Sequence, residues 1–121
     1  MSGAGSSTDH YIQDAGECFT VWKFQEELEY RGKALSIESE KCKLEFTNYC
    51  TTRKLLNKFN KSIYRKNILA ISTLFITNLI ELYPNRKMRI INTEVENRNK
   101  SLKRDFKILF DDDSFKSVSL K

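Results

Sequence analysis

The chain has 121 residues, with 21 Lys and Arg against 16 Asp and Glu, a net charge of +5 and 40% apolar side chains. That length suits one small domain with a modest core, and the composition is too apolar for a wholly disordered chain. The lone histidine, His10, excludes two-histidine metal pairs and the zinc-hydrolase signatures, and it leaves little scope for imidazole base catalysis. All four glycines occur at or before Gly32, so no glycine-rich phosphate loop lies beyond it.

In chain order, residues 1–17 are polar and offer little to bury, so they read as a disordered tail ahead of a single domain over 18–121. They hold no apolar stretch of the signal-peptide kind, and Ser2 stands where N-myristoylation needs glycine. Phe19, Thr20, Val21, Trp22, Lys23 and Phe24 are aromatic and β-branched and predict a strand, although 24–28 also suits the opening of a helix. Two short alternating runs follow, 34–38 and 42–46, with Cys42, Leu44 and Phe46 sharing a face. Arg31 and Gly32 mark a turn before them, and residues 39–41 the turn between them.

Residues 51–83 predict a helix, continuous or with one break, with Thr51 or Thr52 as N-cap and Pro84 as its end. Beyond it, 87–94, 105–110 and 114–120 alternate again as strands. Residues 97–99 and 111–113 are the expected turns, Asn and Asp standing in for glycine. The whole predicts an α+β domain: an antiparallel sheet packed on one long helix, with strands before and after it.

That helix divides by chemistry. At 100° per residue Lys54, Lys58, Lys61 and Arg65 fall within about 60° of one another, and Leu55, Leu56, Phe59 and Ile63 centre roughly 145° away. From 68 to 82 apolar residues surround the axis, more than one sheet can cover. The uncharged run 67–80 has 14 residues, short of the roughly 18 or more a membrane span needs.

Charge is also divided along the chain. Residues 1–50 carry 5 basic and 9 acidic side chains, and residues 51–121 carry 16 and 7. This asymmetry points to an acidic partner such as nucleic acid, or to halves that complement each other. No zinc-finger or RNP-type motif accompanies it. Cys18, Cys42 and Cys50 are odd in number and lack C-x-x-C spacing, which fits reduced thiols in the nucleus or cytoplasm. Cys50 is the best reactive candidate, because it precedes the expected helix start and Arg53 and Lys54 follow. No metal-ligand set or cofactor motif is readable, and Asp111, Asp112 and Asp113 lack the glycine and distal Glu of a calcium loop.

Tyr64-Arg65-Lys66-Asn67, the helix ending Tyr83-Pro84-Asn85, then Ile91-Asn92 and the run from Arg104 through Phe110, resemble the thioredoxin-like selenoprotein W, T and H group. The resemblance covers at most 65–70 residues and implies a strand or turn, a helix, then strands. The group's C-x-x-C or C-x-x-U would fall on Lys58-Phe59-Asn60-Lys61, which has no sulfur or selenium. It therefore implies no redox residue here.

Two functions are expected from these residues. The first is a non-catalytic interaction module, a complex subunit or homodimer, docking through Trp22, Leu74, Phe75 and Leu79. Arg53, Lys54, Lys58, Lys61 and Arg65 would offer a basic face to nucleic acid. The second is a degenerate thioredoxin-like or single-thiol redox protein acting through Cys50.

Overall fold

The computed structural model describes residues 2–92 and 105–119. Among the described residues four helices precede three strands: α1 (Ser2–Tyr30), α2 (Ser39–Arg53), α3 (Leu56–Asn60), α4 (Ile63–Leu82), β1 (Met88–Asn92), β2 (Asp105–Phe110) and β3 (Phe115–Ser119). The α+β class, the antiparallel sheet and the turn at Arg31 and Gly32 are as expected; the tail and the strands expected before residue 54 are not.

The tail expected over 1–17 and the strand expected over 19–24 are one helix from Ser2. Ile12, Ala15 and Phe19 form one buried stripe along α1, and Val21, Phe24 and Leu28 form a second. Each set has the i, i+3, i+7 spacing of a helix face. Two stripes on different sides blur the single period that marks an amphipathic helix, and the aromatic, β-branched composition then reads as strand. The hairpin expected over 34–46 is a loop followed by α2, and only Ala34 retains a strand-like bridge, to Met88. Cys42, Phe46 and Cys50 are buried at i, i+4 and i+8, while Leu44 points outward. The alternation over 42–46 was thus a fragment of a helical stripe.

The expected long helix is broken twice. Lys54 takes the left-handed conformation at φ 57°, its N–H donating to the Thr51 carbonyl, while Leu55 N–H donates to Cys50. These are the two bonds of a Schellman stop. Thr51 and Thr52 therefore close α2 and do not cap the next helix. α1 ends in the same motif: Gly32 at φ 71° donates to Glu29, and Lys33 to Leu28. Ser62 caps α4, its hydroxyl accepting from Arg65 N–H at 3.4 Å. The helix ends at Leu82, just before Pro84, as expected.

The strands form a meander in the order β1-β2-β3, with Ile90 opposite Ile108 and Phe106 opposite Val118. Met88, Ile90, Phe106, Ile108 and Phe110 alternate onto one buried face. The tight turn at 111–113 is as expected, with Asp113 at φ 70° and Phe110 N–H donating to Ser114. Arg86 braces it, Nε 2.8 Å from Asp111 and Nη2 2.8 Å from Asp112. That guanidinium holds the Asp111 carboxyl below the usual carboxylate range. The turn expected at 97–99 lies outside the described residues.

Two apolar clusters result. One joins the C-terminal half of α1 and α4 to the sheet around Phe24, Ile76 and Ile108. The other joins the N-terminal half of α1 to α2, α3 and the start of α4 around Phe19, Phe46 and Phe59. Trp22 packs against both.

Candidate functional site

The basic residues do not share one helix. Lys54 is the left-handed residue that ends α2, Lys58 lies in α3, Lys61 follows α3 and Arg65 lies in the first turn of α4. Lys54, Lys58 and Lys61 are exposed and Arg65 is half-buried. The expected single cationic stripe is thereby corrected to four basic residues spread over two helix breaks. Its apolar counterpart is corrected too: Leu55 and Phe59 are buried, but Leu56 and Ile63 face outward, Ile63 at 59% exposure. The phase is lost because the left-handed residue and the short α3 reset the helical rotation.

Arg53 points elsewhere, into a groove of about 510 Å³ between α1, α2 and β1. Its guanidinium stacks 3.8 Å from the Tyr49 ring centre and 5.5 Å from that of Tyr11. Asp14, also on the groove, accepts from the Tyr49 hydroxyl at 3.0 Å and lies 3.6 Å from His10. At the other end Arg89 lies 3.6 Å from Glu38. Charges of both signs line the groove, and one pair of them, Arg89 and Glu38, engages directly. Cys42 lines it as well, and burial pushes its thiol up to about 11.

Cys50 is fully buried, in the last turns of α2 and not before a helix start. Burial raises its thiol pKa against the opposing pull of Arg53. The helix-start ground for an activated thiolate is therefore gone, and burial outweighs the pull of Arg53. Among the described residues no group of three His, Cys, Asp or Glu is placed to hold a metal ion.

Of the expected docking residues, Leu79 is only 5% exposed and sits in the sheet-side cluster, so it is withdrawn from any docking surface. Phe75 is half-buried, stacked on Phe24 with ring centres 4.6 Å apart. Trp22 is half-buried, with Lys23 Nζ over its ring at 4.7 Å, and it serves as the joint between the two clusters. Leu74 alone stands open, at 62% exposure.

Around Leu74 the outer face of α4 carries Ile63, Asn67, Ala70, Ile71 and Asn78, all exposed. They lie opposite the buried line of Ile68, Ser72, Ile76 and Leu79. Sequence reasoning missed Ala70, Ile71 and Leu82 as surface residues. Ser72, a polar residue at the centre of the buried line, disguised which side faced in. Lys66 and Glu81 bracket the uncharged run at its two ends, a signal of this face that is readable in the sequence.

Comparison with known protein families, with curated proteins and with solved structures finds no match to this chain. Where the selenoprotein resemblance implies a strand or turn before the main helix, the chain forms α3. Among the described residues no helix is long and apolar enough to cross a membrane.

Proposed function

We propose that the chain is a non-catalytic docking module, a subunit of a larger assembly in the nucleus or cytoplasm. The observation that carries this reading is the outer face of α4. Ile71 and Leu74 are 38% and 62% exposed on a helix that bears no charge from residue 67 to 80. Scattered surface leucines are ordinary, but a contiguous uncharged strip flanked by polar residues marks an interaction surface.

The basic residues Lys54, Lys58, Lys61 and Arg65 give the module a second contact, to an acidic partner such as nucleic acid. Four neutralised phosphates imply a log–log salt slope of about −3 to −4 and sequence-independent affinity of roughly 10⁻⁴ to 10⁻⁶ M. Changing Lys58 and Lys61 together to Glu removes that binding with the helix content intact. Unchanged binding in the double variant rejects the nucleic-acid contact.

Leu74→Glu tests the main reading, because an exposed substitution of this kind leaves stability within about 0.5 kcal/mol. Purified from native cells under mild conditions, the wild-type chain is expected in a complex of defined stoichiometry, and Leu74→Glu outside it. Equal recovery of the complex by both chains contradicts docking through α4.

A further inference from the structure

The outer face of α4 is complementary to itself when reversed. Leu74 lies near the middle of the 20-residue helix. Lys66 is about 12 Å towards the N-terminus from Leu74, and Glu81 about 10.5 Å towards the C-terminus, at 1.5 Å per residue. Relative to Leu74, both charges are rotated to the same flank, Lys66 by about 80° and Glu81 by about 20° at 100° per residue. A two-fold axis beside Leu74 carries each flank onto the same flank of a reversed copy. It brings Lys66 of one copy beside Glu81 of the other, twice per pair.

We infer that the occupant of this face is a second copy of the chain, docked α4 to α4 in antiparallel orientation. The inference rests on the docking reading above and names its partner. On the axis Leu74 meets Leu74 of the partner subunit. Ile71 lies against the partner's Asn78, and Ala70 lets the two backbones approach. Antiparallel helices also oppose their macrodipoles favourably.

Nearby charge does not disturb the pattern. Arg31, whose Nη2 donates to Thr77 Oγ1 at 2.7 Å on this flank, has its Nε 2.9 Å from Glu27. Between residues 67 and 80 α4 itself holds no charge, so within the helix Lys66 and Glu81 set the electrostatic polarity of the strip. A parallel pairing would set lysine against lysine and glutamate against glutamate. The single helix pair falls at the small end of interfaces, below about 1,200 Å², so the dimer is expected to dissociate on dilution.

Sedimentation equilibrium on the full chain, from low micromolar to high micromolar concentration, tests this. A reversible dimer is expected, weakened on the order of thirtyfold or more by Leu74→Glu, the loss typical of a central anchor. Lys66→Glu alone and Glu81→Lys alone each weaken it about three- to tenfold. An equimolar mixture of those two variants restores it, because both end pairs become attractive again. Circular dichroism confirms that each variant keeps its helix content.

Failure to restore association in the mixture overturns the antiparallel pairing. A chain monomeric throughout overturns self-association. If that monomer still binds an apolar dye in a manner abolished by Leu74→Glu, the docking reading stands and only the second copy falls. If the monomer binds no dye, both fall.

Discussion

The sheet-facing and helix-facing halves of the core share α1 and both pack rings, but buried polar bonds contribute far more to the sheet side. On the sheet side, polar bonds span long separations. The buried Gln25 amide accepts from Ile90 N–H at 2.9 Å and donates to Ser36 O at 3.1 Å and Glu29 at 2.9 Å. Met88 N–H donates to Lys33 O at 2.9 Å and its carbonyl accepts from Leu35 N–H at 2.8 Å. On the other side, Phe19, Phe46 and Phe59 meet in pairs with ring centres 5.2 Å apart, and Trp22 closes the group at 5.4–5.6 Å. Directional bonds fix the register of the sheet half. Ring volume and edge-to-face contact fix the helical half, which does not tolerate loss of volume.

The largest test of that contrast removes one ring from each side. Phe24→Ala and Phe59→Ala each delete a fully buried ring and are expected to cost about 3–5 kcal/mol in urea unfolding. Because α1 and Trp22 join the clusters, helix and tertiary signals should be lost together in both variants. Separate transitions would mean that the halves fold independently. Next in size is Gln25→Leu, which orphans Ile90 N–H and is expected to cost about 1–3 kcal/mol. Amide exchange should then speed up at Ile90 and the neighbouring β1 residues and leave α2 unaffected.

A smaller pair of changes compares the two Schellman stops. No atom lies within 4 Å of a side chain added at Gly32, so Gly32→Ala costs only the left-handed conformation, roughly 1 kcal/mol. Lys54→Gly relieves the same strain and is expected to stabilise the fold by a similar amount. A rise in the thermal midpoint for Lys54→Gly, with a fall for Gly32→Ala, checks both.

The smallest effect is pH-dependent. Burial pushes the Glu29 carboxyl up, but bonds from Ser39 Oγ, Gln25 Nε2 and the N–H groups of Glu38 and Ser39 outweigh it and hold the pKa below the ordinary value. Its contribution is thus present above the unfolded pKa of about 4.3 and is lost as pH falls through the lower folded value. Glu29→Gln should flatten that acid limb of stability. An unchanged limb would show that Glu29 does not anchor the start of α2.

The sheet half was legible from sequence and the helical half was not, for reasons visible in individual residues. In β1 and β2 one face is buried, so Met88 and Ile90, then Phe106 and Ile108, alternate with polar neighbours, and Pro84 and the aspartates at 111–113 punctuate them. α1 is buried along two stripes and shows no single period. At Lys54 a lysine holds a position where glycine would have announced the stop, so the break in the expected long helix was silent. The site was legible in part. Leu74 and the charge division were read directly, but Leu79 and Phe75 could be assigned to the core only once Ser72 was known to face inward.

The central claim is that the chain works by covering the outer face of α4. Carbene footprinting of the full chain, at a concentration where it is associated and again after dilution, measures that cover residue by residue. Labelling of Ile71 and Leu74 is expected to fall on association, with the exposed Leu44 on α2 unchanged. Equal labelling of Ile71 and Leu74 in both states, with protection appearing elsewhere, would contradict it.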